Sequence, residues 1–506
     1  MNGAQGLIRT LADAGVTVCF TNPGTSEMHF VAALDTVPEM RAVLGLFEGV
    51  VTGAADGYGR MADVPAATLL HLGPGLGNGL ANLHNARRAH TPVVNIVGDH
   101  ATYHKQYDAP LESDIDAMAG TVSQWVRRSM KPDEVGQDAA DAVAAAFGPP
   151  GGVATLILPA DASWGDGGSV GTVAPRRASA ADRPVDDIAA VLRSGEAAVL
   201  LLGGDAVREP GLRAASRVAA ATNAKLFCET FPARLARGAG RPPIERLGYL
   251  AEFTAAQLAG ARHLIVAGAK APVSFFAYPG KPSDLVPDDC SVWSIPPEHL
   301  EALADVVANG TNPVVQPASR PDRPTGVVNG ETVAAALGAL LPEGAIVVDE
   351  ANTSGLWASG ATVGAPAHDW LTLTGGAIGQ GLPTATGAAV ACPDRPVISL
   401  EADGSAMYTL QSLWTQVREG LDVTTVIFNN RSYAILNMEL SRVGAEAAGP
   451  KALSMLDLSN PDLDFVSLAK GMGVDAVQAT TAEDFTAAFE RALAEPGPHL
   501  IDALLS

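Results

Sequence analysis

The 506-residue chain has little positive charge, few cysteines and no long apolar run. Its 33 lysines and arginines face 55 aspartates and glutamates, a formal net charge of −22, so its overall field repels nucleic-acid phosphates and anionic membranes. The four cysteines, Cys19, Cys228, Cys290 and Cys392, lie far apart and predict neither a zinc site nor a disulfide framework. A signal peptide and an apolar stretch long enough to span a membrane are both missing. We therefore expect a soluble, cytoplasmic protein without nucleic-acid or membrane partners.

The chain does contain enough apolar material for several hydrophobic cores. Apolar residues make up 47% of it and charged residues only 17%, a composition that excludes wholesale disorder. A length of 506 residues exceeds what one core usually supports. The sequence therefore predicts two to four domains.

Short apolar or β-branched runs recur along the chain, most of them followed by Gly, Pro, Asn or Asp. They alternate with helical patterns, which is typical of parallel sheets with crossover helices. The main predicted strands are residues 16–20, 66–71, 93–97, 153–158, 198–202, 225–228, 263–267, 346–348, 397–400 and 423–429.

Two polar stretches interrupt this alternation. Residues 161–187 are rich in Gly, Ser, Pro, Asp and Arg, and residues 309–330 are rich in Pro, Asn and Arg. Both compositions are typical of interdomain linkers. The sequence therefore predicts three open parallel-sheet α/β domains, at residues 1–165, 186–308 and 330–506.

Polar residues follow two of the predicted strands at the point where each strand ends. Asp403-Gly404-Ser405 follows one of them and Asn430 follows the next. The carboxyl ends of parallel strands meet at one edge of a sheet, where ligands bind, and Mg²⁺ prefers oxygen ligands such as these. The pattern predicts a magnesium–diphosphate site. Two ordinary strand-to-helix turns, with Asp403 as a helix N-cap, are the alternative interpretation.

This Asp-Gly-Ser segment followed by Asn-Asn resembles the cofactor signature of thiamine-diphosphate enzymes, in the group of pyruvate oxidase, acetolactate synthase and benzoylformate decarboxylase. The likeness spans nearly the whole chain. It is similar above all to acetolactate synthase large subunits and to benzoylformate decarboxylase. One departure is Ala402, where the family has glycine. The segments that carry the likeness elsewhere are Asn22-Pro23-Gly24-Thr25, residues 46–50, residues 54–59 and residues 375–379.

The resemblance implies bound thiamine diphosphate and Mg²⁺. Because the predicted middle domain, residues 186–308, shows no convincing flavin-binding segment, FAD is not expected. The implied metal ligands are Asp403, Asn430 and the backbone carbonyl of Ser432. The implied cofactor contacts are Asn352, Thr353, Gly404 and Ser405 on the diphosphate, the carbonyl of Gly376 on the 4′-amino group, and Ile378 as the apolar wedge that bends the cofactor.

Glu48 lies among apolar residues at 44–51. Taken alone, a Glu in such a setting is more often an edge residue whose carboxylate reaches solvent. The resemblance gives it a catalytic role, since a carboxyl group on the pyrimidine N1′ favours the 4′-imino group that removes the C2 proton. In this family that Glu acts on the cofactor of the other subunit. The implied minimum active unit is a homodimer, and a dimer of dimers, a homotetramer, is expected.

The resemblance also suggests substrate-side residues. The second active-site His of benzoylformate decarboxylase has no counterpart here, because aromatic residues occupy that segment. Glu439 stands where acetolactate synthase has a Trp, and Pro110-Leu111 stands where it has Phe-Gln. The implied residues are Thr25 and His71 as catalytic groups, and His100, His104, Phe275, Phe276 and Glu439 as substrate contacts.

The implied function is a thiamine-diphosphate- and Mg²⁺-dependent carbon–carbon lyase or ligase that acts on a small-molecule 2-oxo acid. Decarboxylation would proceed through an enamine, followed by protonation or carboligation. Acetolactate (acetohydroxyacid) synthase proper, an acyl-CoA-type decarboxylase and an inactive regulatory paralogue remain alternatives.

Overall fold

The computed structural model describes residues 1–174, 185–445 and 448–506. Three sheets organise these residues, and all strand pairs but one are parallel. The predicted α/β class with three open parallel sheets is therefore confirmed. In the described part of the chain, no helix has both the length and the apolar character needed to cross a bilayer.

The first sheet lies in the N-terminal part of the chain and is buried on both faces. Its strands are β1 (Val18–Thr21), β2 (Arg41–Leu44), β3 (Ala66–Leu70), β4 (Val93–Asp99), β5 (Trp125–Arg128) and β6 (Val153–Pro159), in the order β2-β1-β3-β4-β6-β5. Alternate residues of β4 belong to two different apolar clusters, as expected for a doubly covered sheet. The helices are α1 (Gly3–Asp13), α2 (Met28–Leu34), α3 (Glu48–Ala62), α4 (Leu72–Ala89), α5 (Ile115–Gly120), α6 (Val135–Phe147) and α7 (Ala160–Trp164).

The middle part of the chain builds a second, five-stranded parallel sheet. The strands of this part are β7 (Ala198–Leu202), β8 (Lys225–Cys228), β9 (Leu235–Arg237), β10 (Glu245–Arg246), β11 (His263–Ala267) and β12 (Ser291–Ile295). All of them except β9 form this sheet, in the order β10-β8-β7-β11-β12. The helices are α8 (Val185–Arg193), α9 (Glu209–Thr222), α10 (Ala251–Leu258) and α11 (Leu300–Val307).

The C-terminal part builds a third, seven-stranded sheet. Its own strands are β13 (Ile346–Glu350), β14 (His368–Thr372), β15 (Val397–Ala402), β16 (Val423–Asn429), β17 (Asp475–Ala479) and β18 (His499–Leu504), in the order β17-β18-β16-β15-β13-β14-β9. The helices are α12 (Gly330–Leu340), α13 (Ala358–Ala361), α14 (Gly381–Ala391), α15 (Asp403–Ala406), α16 (Ser412–Glu419), α17 (Ala434–Arg442), α18 (Pro450–Leu453), α19 (Phe465–Gly471) and α20 (Ala482–Ala494).

Strand β9 departs from the predicted organisation. It lies within residues 186–308, yet it pairs antiparallel with β14 at the edge of the third sheet. Leu235 is buried there, and the guanidinium of Arg237 lies 5.0 Å from the centre of the Trp370 ring. The middle and third parts of the chain are thus joined through one sheet, and the exact domain boundaries stay a prediction.

The first and third parts of the chain pack together through α3 and α14. A Cβ atom on Gly57 would overlap the carbonyl of Thr384, and one on Gly387 would overlap the carbonyl of Ala54. The two helix backbones therefore approach more closely than side chains would allow. This contact places α3, which begins with Glu48, against the third sheet.

Candidate cofactor site

Two of the three predicted metal ligands, Asp403 and Asn430, lie at the ends of neighbouring parallel strands, β15 and β16. Asp403 is only 2% exposed. Its Oδ1 accepts the N–H of Gly404 at 2.8 Å, and its Oδ2 accepts the N–H of Arg431 at 2.6 Å. Oδ1 of Asn430 accepts the N–H of Ser432 at 2.9 Å. The structure therefore brings Asp403, Asn430 and Ser432 together.

The electrostatics of Asp403 suit a cation. Burial raises the pKa of its carboxyl group, and nearby backbone N–H groups offset this only in part. Within the described residues it has no basic side chain as a partner. Backbone N–H groups, among them those of Gly404 and Arg431, donate to its carboxylate instead, so its negative charge is not neutralised by a basic side chain. A charged, hard oxygen donor of this kind fits Mg²⁺.

The predicted diphosphate contacts line the same edge. Asn352, in the left-handed conformation at φ 50°, donates through Nδ2 to Oγ of Ser405 at 3.3 Å. Nδ2 of Asn430 donates to Oγ of Ser354 at 2.9 Å, which fixes the amide orientation. A Cβ atom on Gly404 would overlap the ring of Tyr433. The loops that follow β13, β15 and β16 thus converge, and the residues present fit a metal-bound diphosphate.

Residues 373–380, between β14 and α14, form a segment that we term the cofactor loop. Three of its carbonyls have partners on α4: Gly375 is 3.1 Å from Nε2 of His84, Ala377 accepts from Asn85 at 2.8 Å, and Gly379 accepts from Asn82 at 3.1 Å. Among the described residues nothing donates to the carbonyl of Gly376. That carbonyl, predicted to meet the 4′-amino group, is available for a ligand. Ile378 is half-buried beside it.

Two buried acids behind the cofactor loop escaped prediction. Oε1 of Glu350 accepts the N–H of Gly379 at 2.7 Å, and Oε2 accepts the N–H of Gly381 at 2.5 Å. Burial raises the pKa of Glu350 to about 7, and burial together with the Glu350 charge raises the pKa of Glu401 well above its usual value. No sequence signal marks them, because each looks like an ordinary residue at a strand end.

Glu48 is the first residue of α3 and is 8% exposed. Nδ2 of Asn78 donates to its Oε2 at 2.9 Å, a partner that sequence reasoning missed. In the described chain no hydrogen bond or ion pair of the Glu48 carboxylate reaches the third sheet or its loops. One chain by itself therefore does not bring Glu48 into contact with Asp403.

His71 is held by a second acid that was not predicted, Glu27. Nδ1 of His71 lies 2.8 Å from Oε2 of Glu27, and Ser26 donates to the other carboxylate oxygen at 2.6 Å. A carboxylate only accepts, so the neutral ring carries its proton on Nδ1 and leaves Nε2 as an acceptor. The predicted Thr25 is exposed. Sequence reasoning missed Glu27, because only its contact with His71 in the folded chain identifies it.

The predicted His100 and His104 lie together on the segment after β4. Their ring centres are 5.4 Å apart. Buried Asp99 anchors this segment through ion pairs to Lys105, at 3.1 Å, and to Arg128. Nε2 of His100 is buried and has no hydrogen-bond partner in the described residues.

Phe275 and Phe276 belong to a group of contacting rings that we term the aromatic cluster, with Phe231, Tyr249 and Tyr278. The cluster lies next to the cofactor loop, because Cζ of Phe275 would be only 3.2 Å from a Cβ atom on Gly376. Burial and the neighbouring Glu439 carboxylate raise the pKa of the Tyr278 hydroxyl, and the guanidinium of Arg442 lies 4.9 Å from the centre of the Tyr278 ring. The structure thus brings Phe275, Phe276 and Glu439 into one group beside Gly376.

Comparisons with known proteins agree with this geometry. Residues 1–120 match the family model "Thiamine pyrophosphate enzyme, N-terminal TPP binding domain", and residues 352–503 match "Thiamine pyrophosphate enzyme, C-terminal TPP binding domain". The chain is 63% identical to "Putative acetolactate synthase large subunit IlvX" of Mycobacterium tuberculosis, over 100% of this chain and 99% of that protein. It is 29% identical to benzoylformate decarboxylase of Pseudomonas aeruginosa, over 96% of each.

A solved structure shows the same fold along the whole chain. The thiamine diphosphate-dependent 4-hydroxybenzoylformate decarboxylase of Rhodococcus jostii superposes with a TM-score of 0.84 at 25% identity, over 100% of this chain and 99% of that one. The high identity to the mycobacterial relative and the two matched cofactor-binding domains lead to one conclusion. The chain belongs to the family of thiamine-pyrophosphate-dependent enzymes.

Proposed function

We propose that the protein is a cytoplasmic enzyme that uses thiamine diphosphate and Mg²⁺ to break or form a carbon–carbon bond at the carbonyl carbon of a 2-oxo acid. The observation that carries this proposal is the convergence of Asp403, Asn430 and Ser432 with the diphosphate loops, together with a Gly376 carbonyl that accepts no hydrogen bond in the described residues. When bound, the cofactor supplies the electron sink for decarboxylation. The protein binds and orients it and excludes water.

The chain's own residues would divide this work. Asp403, Asn430 and the carbonyl of Ser432 would hold Mg²⁺. The carbonyl of Gly376 would accept from the 4′-amino group, and Ile378 would support the bent cofactor. The diphosphate would contact Asn352, Thr353, Gly404 and Ser405.

Glu48 would hydrogen-bond the aminopyrimidine bound by a second copy of the chain. Large apolar side chains are exposed beside Glu48 and beside the diphosphate loops, and such a surface usually requires a partner. We therefore infer that a homodimer is the minimum active unit and expect it to pair into a dimer of dimers. These exposed side chains are Leu46, Leu356, Trp357, Met407 and Tyr408.

His71 would hold or move a proton near the reacting carbon. Glu27 fixes Nδ1 of the ring, so Nε2 is the atom that can accept a proton. We propose Thr25 as a further catalytic group, and His100 and His104 as contacts of the substrate in the same cleft. The second active-site His of benzoylformate decarboxylase has no counterpart in this chain. We therefore propose carboligation as an alternative to the simple decarboxylation of benzoylformate.

The aromatic cluster supports a second candidate, a 2-oxo acid with an aromatic side chain. Phe275 is 43% exposed and Phe276 is 55% exposed next to Gly376, and exposed rings at a site favour stacking with an aromatic ligand. Glu439 lies at the far end of the cluster. Similarity to the mycobacterial relative instead favours acetolactate synthesis from a small aliphatic 2-oxo acid.

We also propose that the enzyme works without a flavin. In a sheet of this topology, a dinucleotide would bind where the strand order reverses, between β7 and β11. There a Cβ atom on Gly203 would lie 2.8 Å from the carbonyl of Gly268 and 2.8 Å from Oε1 of Glu229. The turns that follow β7 and β11 therefore pack directly against each other at this point. The purified protein should show no flavin absorbance, and a bound flavin would contradict the proposal.

A substrate panel tests the reaction. Carbon dioxide release and ligation products should be measured with pyruvate, 2-oxobutyrate and benzoylformate in the presence of thiamine diphosphate and Mg²⁺. Acetolactate from pyruvate would support the synthase, and benzaldehyde from benzoylformate would support the aromatic decarboxylase. No turnover of any of these acids would overturn the proposed function.

A further inference from the structure

A buried ion pair on α3 lies against the cofactor loop. The side chains of Asp56 and Arg60, one helical turn apart, are 0% and 1% exposed. Nε of Arg60 donates to Oδ1 of Asp56 at 2.9 Å, and Nη2 donates to Oδ2 at 2.6 Å. This two-point contact fixes the two side chains relative to each other.

Arg60 holds the start of the cofactor loop. Its Nη1 donates to the carbonyl of Thr372, the last residue of β14, at 2.8 Å, and its Nη2 donates to Oγ1 of Thr374 at 2.9 Å. Nη1 also donates to the carbonyl of Ala233 at 3.3 Å. A guanidinium has five N–H groups, and all of them are used here.

Asp56 holds the end of the cofactor loop. Nε2 of Gln380, the residue before α14, donates to Oδ2 of Asp56 at 2.8 Å. The hydroxyl of Thr91 donates to Oδ1 at 2.6 Å. The two charged side chains therefore bind the loop at both ends. Residues 375–379, including Gly376, lie between these two attachment points.

Stability alone does not account for such a pair. Removing two charges from water costs about as much free energy as their attraction returns, and apolar replacement of both partners is often neutral or stabilising. A fully hydrogen-bonded pair does fix the positions of the groups that it contacts. Here those groups belong to the cofactor loop, in which the carbonyl of Gly376 is free.

We propose that Asp56 and Arg60 are positioning residues for the cofactor, holding residues 373–380 so that the Gly376 carbonyl faces the aminopyrimidine. Both lie on α3, the helix that begins with Glu48, and at 1.5 Å per residue Asp56 is about 12 Å and Arg60 about 18 Å along it from Glu48. The single helix α3 thus connects the chain's own cofactor loop to Glu48, the acid that the chain would contribute to the partner's site. Because the loop acquires its role only from the proposed function, this inference rests on that function.

The test replaces both charges together, in the double variant Asp56→Leu with Arg60→Met, so that no unpaired charge is buried. We expect it to fold with near-wild-type circular dichroism. In the cofactor-free protein, amide hydrogen exchange of residues 373–380 should accelerate at least about tenfold. The Kd for thiamine diphosphate should rise at least about tenfold, since several hydrogen bonds that order the loop are lost.

Arg41→Met is the matched control. Arg41 also joins the first part of the chain to the third, through an ion pair to Glu419 at 2.7 Å, but neither residue contacts the cofactor loop. This variant should leave both the loop exchange and the cofactor Kd within about twofold of wild type.

Loop exchange and Kd that both stay within about twofold of wild type in the double variant would overturn the inference. If that variant fails to fold, Arg60→Lys decides, because it keeps the charge but loses the five-donor fork, and intermediate increases are expected. If the wild-type protein does not bind thiamine diphosphate, the proposed function fails. The exchange comparison in cofactor-free protein then still decides whether the pair positions the loop.

Discussion

Glu48 is the single side chain on which the proposed chemistry depends most. Glutamine at this position keeps the size and the hydrogen-bonding reach but removes the carboxyl group. We expect Glu48→Gln to lower kcat by about 10²- to 10⁴-fold, the usual contribution of a positioned acid or base. Cofactor binding, measured by titration calorimetry, should change little. Full turnover in this variant would contradict the role of Glu48.

Glu39→Gln is the control for that experiment. Glu39 is 55% exposed, and its one ion-pair partner within the described residues is Arg9 on the surface. Such pairs contribute little, so both kcat and cofactor binding should remain at wild-type values.

Glu229 makes stability depend on pH. Burial raises its pKa from the usual 4.5 to about 7, and the N–H of Gly204 offsets this only in part. Between pH 4.5 and about pH 7, Glu229 is protonated in the native state and ionised in the unfolded state. The free energy of unfolding therefore falls as the pH rises through this window. Glu229→Gln should match wild type near pH 5 and be more stable near pH 8, by up to about 3 kcal/mol. Urea unfolding at the two pH values measures this, and an equal difference at both would contradict it.

At the residue level, motif spacing predicted the residues that follow strand ends, and it missed their partners. Asp403 and Asn430 lie at neighbouring strand ends, as expected. Glu27, Asn78 and Glu350 were not predicted, because each is identified only by the side chain or loop that it contacts in three dimensions.

At the level of elements, the buried central strands were predictable and the edge strands were not. Four predicted strands coincide with β7, β8, β11 and β16, and the other six differ from the observed bounds by one or two residues. Strands β2 and β12 have several exposed residues and so lack a continuous apolar run. Strand β9 has three residues, too few for any periodic pattern to show.

The contact between α3 and α14 depends on glycine. Because a Cβ atom on Gly387 would overlap the carbonyl of Ala54, Gly387→Ala must push the two helices apart. We expect a loss of about 1–3 kcal/mol in the free energy of unfolding, as for other overpacked sites. Denaturant titration measures it.

Gly471→Ala is the matched control for the helix contact. Gly471 ends α19, and a Cβ atom there would meet nothing within 4 Å. Its effect on unfolding should be zero or slightly stabilising, by up to about 1 kcal/mol. Equal losses of unfolding free energy in the two variants would contradict the claim that the close approach of α3 and α14 causes the loss.

For the whole molecule, the proposed dimer predicts complementation between two inactive variants. Co-expressed Glu48→Gln and Asp403→Ala chains form mixed dimers in which one site has both mutations and the other has neither. Half of randomly assembled dimers are mixed, so about a quarter of wild-type activity should return. Activity no greater than that of either variant alone would place Glu48 and Asp403 in a site within one chain.

The net charge of −22 also gains a meaning at this scale. It disfavours polyanion partners, and the proposed cofactor is itself an anion. Its charge would be balanced locally by Mg²⁺ at Asp403 and Asn430, so no basic surface is required.

The most direct test of the proposed function is cofactor-dependent release of carbon dioxide from 2-oxo acids. The protein is stripped with a chelator, and thiamine diphosphate and Mg²⁺ are returned separately and together. We predict release from at least one 2-oxo acid only when both are present, and none with Asp403→Ala. Equal release without either addition, or none with both, would contradict the account.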